Sequence, residues 1–350
     1  MANYKTIKGF KTQSYATDPV PATAAWASSN AMGTARYGMG AGGTQTAGLA
    51  FGGSVPPNNA NTETYDGSSW TEVNNLNKAR GFVGGCGTQT AALCAGGDPS
   101  PSNESEEWNG TSWTEGNNIN TARRQTCAFG IQTAAVLAAG YTTTVVSNVE
   151  EYDGTSWTEV TDISNARRNL SGFGILTSGA VVGGRPASPE AASTLTEEYD
   201  GTSWTAGGAS NTGSFSLASA GETQDAGLIY GRKTPPTSAK TEEYNGTSWT
   251  ELADMGTARY FPTGIGTSSL AVAGGGMGTA VSAVTEEWTN YGGTNPAPDA
   301  TLMNEGQIWY NTTGSALKYT TLAAGVWASG GPLNAGRSYG VGTGTNTAAL

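Results

Sequence analysis

Five copies of one hexapeptide punctuate the chain, and their even spacing leaves few folds open. Tyr65-Asp66-Gly67-Ser68-Ser69-Trp70 returns as Trp108 to Trp113, Tyr152 to Trp157, Tyr199 to Trp204 and Tyr244 to Trp249, at a period of about 44 residues. A tryptophan signature at that period marks propeller blades, small four-stranded sheets that bury their faces only against their neighbours. Gly makes up 52 of the 350 residues while Leu, Glu and Lys are scarce, which suits short strands and tight turns. The expected fold is all-β: a single β-propeller of four-stranded antiparallel blades over residues 1–350, almost without helix.

Within each repeat an Arg precedes a Gly by seven residues, at Arg36, Arg80, Arg123, Arg167, Arg259 and Arg337. The small residues between them suit an innermost strand, where blades converge and large side chains would collide. An apolar second strand follows, closed by a glycine pair at Gly52-Gly53, Gly96-Gly97, Gly183-Gly184 and Gly274-Gly275. The third strand carries Glu-Glu-Tyr or Glu-Glu-Trp, and the Asp-Gly or Asn-Gly after it supplies the positive φ angles of a hairpin. The fourth strand starts at a Trp placed to cover the gap between sheets. Blade three has Ala139-Gly140 in place of the pair. Blade five has Ser214 in place of Arg and Tyr230-Gly231 in place of the pair, so the Arg's role is expected to be missing from that sector.

Outer-strand tryptophans fall at Trp26, Trp70, Trp113, Trp157, Trp204, Trp249 and, after a longer gap, Trp327. Seven blades is the first expectation and six the second. In the seven-blade reading, residues 1–26 give the outer strands of a closing blade and residues 337–350 its inner strands, which removes the open sheet edges. An alternative is that the sequence is a fragment. Residues 289–322 read as an insertion within blade six, containing a hairpin around Thr312-Thr313-Gly314-Ser315.

The composition excludes several chemistries. Histidine is absent, which removes Ser-His-Asp and Cys-His nucleophile systems and imidazole metal sites. The net charge of −11 argues against a phosphate-backbone partner. No run approaches the ~18 apolar residues of a membrane span, and the N-terminus lacks the apolar core of a secretory signal, so a soluble chain outside the common export route is expected. Cys86, Cys94 and Cys127 have neither metal-ligand nor disulfide spacing and read as small buried side chains. Six rim arginines could bind an anion, but a structural role in bonding carbonyls or a Glu of the next blade is favoured. The acidic residues recur in nearly every blade, which favours structure over glycosidase chemistry. Asp-Gly turns lack the clustered oxygens of a calcium site. Catalytic residues, cofactor and metal are all expected to be none. Trp309, Tyr310 and Tyr141 remain as candidates for stacking on sugar rings.

An Arg before the inner strand, a glycine pair closing the second, a Tyr on the third and a Trp on the fourth resemble the Kelch repeat, over about residues 26 to 350. The copper radical oxidases of that family need histidines, so their activity does not carry over. The wording Tyr-Asp-Gly-Thr-Ser-Trp-Thr-Glu resembles degenerate Kelch units in structural proteins of bacteriophages, especially those of marine bacteria. Gly306-Gln307-Ile308-Trp309-Tyr310-Asn311-Thr312-Thr313 resembles a hairpin common in tail-fibre and other virion proteins. The resemblance implies a non-enzymatic virion component of a tail, fibre or capsid surface, acting in assembly or host attachment. Expected partners are other virion proteins in a multi-subunit assembly and a host-surface glycan, with no nucleic acid and no membrane insertion. A polysaccharide depolymerase or an intracellular Kelch scaffold are the alternatives.

Overall fold

The computed structural model describes residues 24–188, 191–234 and 236–290, together with the strands Gln13–Tyr15, Ile308–Asn311, Ala316–Thr320 and Trp327–Ser329. The chain divides into two compact units, Ala24–Asn290 and the combination of Met1–Thr23 with Tyr291–Leu350. The first is a β-propeller of six four-stranded antiparallel blades, with no helix among the described residues.

From axis to rim, blade one comprises Gly40–Thr44, Ala47–Phe51, Thr62–Tyr65 and Trp70–Val73. Blade two comprises Gly84–Gly87, Ala92–Ala95, Ser105–Trp108 and Trp113–Glu115. Blade three comprises Cys127–Ile131, Ala134–Tyr141, Val145–Tyr152 and Trp157–Val160. Blade four comprises Ser171–Ile175, Ser178–Val182, Thr196–Tyr199 and Trp204–Ala206. Blade five comprises Ala218–Thr223, Ala226–Lys233, Thr237–Tyr244 and Trp249–Glu251. Blade six takes Ile265–Gly266, Leu270–Gly274 and Thr285–Thr289 from one end of the repeat array and its outer strand, Ala25–Ser29, from the other.

That last pairing sets the blade count at six, the second of the two expected numbers, and corrects how the ring closes. Trp26 lies opposite Trp288 in an antiparallel register running from Ala25↔Thr289 to Ser29↔Thr285. Blade six is therefore complete without Trp327, and Trp26 needs no inner strands from residues 337–350. Arg337 and that segment lie outside the described residues. In the second unit, Ile308–Asn311 and Ala316–Thr320 form the expected antiparallel pair. They belong to a sheet of their own, flanked by Gln13–Tyr15 in parallel and Trp327–Ser329 in antiparallel pairing.

Local chemistry accounts for the strand order. The second strands are short apolar runs such as Leu49-Ala50-Phe51 and Val136-Leu137-Ala138, fully buried because neighbouring blades cover both faces. Inner strands are glycine-rich because backbones meet there: a Cβ on Gly85 would lie 2.6 Å from the Gly40 Cα of blade one. The glycine pairs adopt positive φ, and in blade six the pair is Gly275-Gly276 (φ 65° and 108°), one residue later than the sequence reading placed it. In the outer hairpins only the glycine has positive φ, as at Gly67 (91°). The preceding Asp66 instead accepts the Ser69 and Ser68 backbone N–H groups, which hold its carboxyl near pKa 2.

The seams between blades follow a rule readable in the four-residue segment of the third strand that ends on its Tyr or Trp. Its first Thr takes the indole N–H of the next blade's outer Trp: Trp70 to Thr285, Trp113 to Thr62, Trp249 to Thr196 and Trp26 to Thr241, at 2.8–3.0 Å. The second Glu accepts the next blade's Tyr hydroxyl: Tyr65 to Glu287, Tyr152 to Glu107, Tyr199 to Glu151 and Tyr244 to Glu198. In blades two and three Ser105 and Val149 replace the Thr, and Trp204 donates instead to the Thr161 carbonyl; departures from the Tyr bond come in matched pairs. Blade two has Trp108 in place of Tyr, and blade one has Thr64 in place of that Glu. Blade six has Trp288, and Glu243 of blade five is bonded instead by Asn290 at 3.0 Å.

Burial and the facing carboxylates raise these phenol pKa values, Tyr65 to about 12 and Tyr152, Tyr199 and Tyr244 likewise upward. The unfolded chain loses its phenol protons near pH 10 while the folded chain keeps them, so the seams stabilise fully below that pH. That stability falls as pH rises from about 10 towards 12. A pH titration of the protein against its Tyr65→Phe, Tyr152→Phe, Tyr199→Phe and Tyr244→Phe variants should show that the tyrosinate absorbance these four residues contribute, among the 14 tyrosines of the chain, appears together with loss of the β circular-dichroism signal in this window; a seam contribution at pH 10 with the fold intact would refute the seam assignment.

Candidate functional site: the mouth of the axial channel

The repeated arginines are not available for binding. Arg36, Arg80, Arg123, Arg167 and Arg259 are at most 2% exposed, and each pairs with the first Glu of its own blade, at 2.7–3.0 Å: Glu63, Glu106, Glu150, Glu197 and Glu286. They also bond carbonyls of the same blade, as Arg80 does to Gly96 and Glu104. The expected tie to the next blade is thus replaced by a tie within the blade. The carboxylate's other oxygen accepts a backbone N–H of the segment arriving from the previous blade: Gly33, Asn77, Asn120, Ser164 and Gly256. Burial lowers the pKa of Arg36, Arg123, Arg167 and Arg259, and the paired Glu works against that shift.

Blade five does not lack this pair, contrary to the expectation from Ser214. Arg232, on the second strand where other blades place the second glycine, reaches Glu242 at 2.5 Å and is fully buried. The two positions touch: a Cβ on Gly276 would lie 3.2 Å from Arg259 Cδ, and one on Gly184 3.2 Å from Arg167 Cβ. Small and large residues have changed places, Arg/Gly elsewhere and Ser/Arg here, and the guanidinium occupies the same space.

Two residues past each Arg position, the backbone closes a ring around the axis. Gly38, Phe82, Gln125, Asn169, Ser216 and Phe261 all have φ between 52° and 64°. Each N–H donates to the carbonyl of its counterpart in the preceding blade, from Phe82 to Gly38 (2.7 Å) round to Gly38 to Phe261 (3.3 Å). Five of the six are not glycine, and left-handed backbone at such residues costs of order 1–3 kcal/mol each. Both polar backbone groups of every member are used in the ring, which holds them there.

The residues immediately before this ring form isolated antiparallel bridges with the residues after the glycine-pair position: Tyr37↔Ser54, Gly81↔Asp98, Arg124↔Tyr141, Arg168↔Arg185, Phe215↔Lys233 and Tyr260↔Met277. Equivalent positions in a ring of blades share one face, so these side chains surround one mouth of the channel. They do not follow the repeat. Arg124 and Arg168 pack on Tyr141 at 5.3 and 5.1 Å, Arg185 on Phe215 at 5.4 Å and Lys233 on Tyr260 at 4.6 Å. Tyr37, Phe82 and Phe261 complete the circuit, Phe82 lying edge to face with both Tyr37 and Phe261, the latter 5.1 Å away. Arg124 is ion-paired with Asp98, the single carboxylate among these positions. Below lies a cavity of about 120 Å³ whose lining includes Gln125 and Asn169; their amide oxygens Oε1 and Oδ1 are buried without a donor.

Of the aromatics singled out from sequence, Tyr141 is therefore at this mouth, with its ring holding two guanidinium groups. Trp309 and Tyr310 lie on the Ile308–Asn311 strand of the other unit, where only the backbone is described. The cysteines are free and buried; Cys86 faces Leu93 and Cys94 faces Gly85 across the strands. Burial pushes their thiols up, to about 12 for Cys86 and Cys127 and about 11 for Cys94. Among the described residues no cluster of three or more Cys, Asp or Glu is arranged to hold a metal ion. No protein-family model and no curated protein matches the chain.

Proposed function

We propose that the protein is a non-enzymatic display module of a bacteriophage virion, part of a tail, fibre or capsid surface, acting in assembly and host attachment. The observation that carries this reading is a division of labour. The charged residues that recur, Arg and the two Glu, are absorbed in bracing each blade from within and in the seams, while the residues that vary are gathered at one channel mouth. A rigid scaffold with variable rim residues is how a binding face is built on a repeat fold. The Kelch-like arrangement of Arg, glycine pair, Tyr and Trp, and its phage-like wording, supply the virion context.

A depolymerase would need two carboxylates facing a bound sugar, and the mouth offers Asp98 alone, engaged by Arg124. Mass spectrometry of purified particles tests the reading: the chain should appear at fixed copy number, and its absence from particles would overturn it. Incubation with host polysaccharide should release no new reducing ends; release would favour the enzyme. A pull-down from uninfected cells that recovers a stable partner would favour an intracellular scaffold.

A further inference from the structure

We infer that the channel mouth binds a neutral sugar, the end residue of an uncharged glycan, seated between amides on one side and aromatic rings on the other. The inference rests on the attachment reading above and names its ligand class. Charge is settled by elimination. None of the three arginines here is free: Arg124 holds Asp98, and Arg168 and Arg185 are engaged within the chain. Lys233 lies on the Tyr260 ring. The lining of the cavity carries no charged side chain, so an ion entering it would give up hydration and meet no opposite charge.

What the lining offers is divided across the axis. Its polar side chains, among them Gln125, Asn169, Ser171 and Ser219, all belong to blades three, four and five, and its aromatic rings, Phe82 and Phe261, to blades two and six. Ser171 and Ser219 bond each other at 2.6 Å, and Ser219 donates to the Gly172 carbonyl at 2.8 Å. The two carboxamides are unspent. Gln125 Oε1 and Asn169 Oδ1 are buried without a donor, where buried polar groups are normally bonded. The ring bond from Asn169 N to Gln125 O at 2.8 Å sets the two residues side by side. A half-turn about the last side-chain torsion exchanges the oxygen and NH2 ends, so each amide can give or take a hydrogen bond with a hydroxyl.

The aromatic side is open to a ligand as well. Phe82 lies over Gly38, where a Cβ would meet its ring at 2.9 Å, and stands edge to face with Tyr37 and Phe261. All three rings are half-buried. A pyranose has hydroxyls around its edge and apolar C–H faces, the same division as the lining, and a few polar groups set among aromatic ones are what orients a small ligand. The cavity, at about 120 Å³, is well below the ~300 Å³ that encloses a small molecule, so one edge of the sugar enters and the rest of the glycan extends over the mouth.

The test is an array of bacterial O-antigen and capsular oligosaccharides, neutral and acidic, probed with the full-length protein and followed by calorimetry on the neutral member bound most tightly. Binding should survive high salt and weaken at least about tenfold in Gln125→Gly/Asn169→Gly. Glycine suits the left-handed backbone at both positions (φ 55° and 56°), as Gly38 does at the same place in blade one, so the melting temperature should be retained. Lys78→Ala, at an exposed blade-two site, should leave binding unchanged. No neutral oligosaccharide bound, full binding by the double variant, or binding confined to acidic members and lost in salt would each overturn the inference. Failure here with the chain present in purified particles removes the ligand and keeps the virion role; sugar binding with the chain absent from particles does the reverse.

Discussion

Arg232→Gly should destabilise the propeller by about 3–5 kcal/mol, and adding Ser214→Arg to the same chain should restore most of that loss. In the single variant Glu242 remains fully buried with only the Asn211 backbone and side-chain N–H groups on its other oxygen. An uncompensated buried carboxylate is what makes breaking such a pair costly, far beyond what an exposed ion pair is worth. Ser214→Arg alone should also destabilise, because it forces a second guanidinium into space that Arg232 fills. Together the two changes recreate the Arg-and-glycine arrangement of the other blades. The coupling energy from a urea-unfolding double-mutant cycle should therefore be large and of opposite sign to the single effects. A double variant as unstable as Arg232→Gly would show that the positions do not exchange.

The same exchange shows how far the sequence can be read. The repeat exposes residues that recur at fixed offsets, and from these the four-strand blade, the buried second strand and the structural role of the arginines follow. Blade five broke the rule twice, at Ser214 and at Tyr230-Gly231-Arg232, and each break taken alone looks like a loss. Only the contact between the two positions reveals a compensation, and contact is a property of the folded sheet. The matched pair Thr64 and Trp108 is of the same kind.

The closing strand was legible and misread. In every regular repeat the outer Trp follows the third-strand aromatic by five residues, as Trp70 follows Tyr65 and Trp249 follows Tyr244. Nothing of that kind follows Trp288, so blade six lacks an outer strand in sequence while Trp26 has an outer strand and no blade. Assigning Trp327 to blade six broke a spacing kept elsewhere. The channel mouth was hidden for the opposite reason. Its positions lie directly beside the repeated Arg, but Tyr37, Gly81, Arg124 and Phe215 differ from one another, and a search for what recurs passes over them. Tyr141 was found as an aromatic outside the template; that it holds two guanidinium groups depends on blades three and four meeting.

A chain starting at Asn30 should lose the cooperative unfolding transition of the propeller, whereas one ending at Asn290 should keep it. Removing Ala25–Ser29 strips blade six of five register pairs and leaves Thr285–Thr289 as an open edge, a template for pairing with another copy. It also removes Trp26, which packs on Tyr230 at 4.8 Å and Trp288 at 5.4 Å and donates to Thr241 of blade five. Trp26→Ala alone should cost about 3 kcal/mol, at the lower end for an aromatic truncation because the ring is only half-buried. Loss of the whole strand adds its backbone pairing and opens the seam to water, and a domain margin of ~5–15 kcal/mol does not survive many such losses. Thermal unfolding with light scattering reads both outcomes: the chain from Asn30 should show a broad early transition or self-association. If the chain ending at Asn290 fails in the same way, closure of blade six by the N-terminal strand is not sufficient to hold the ring, and the terminal unit must contribute to it.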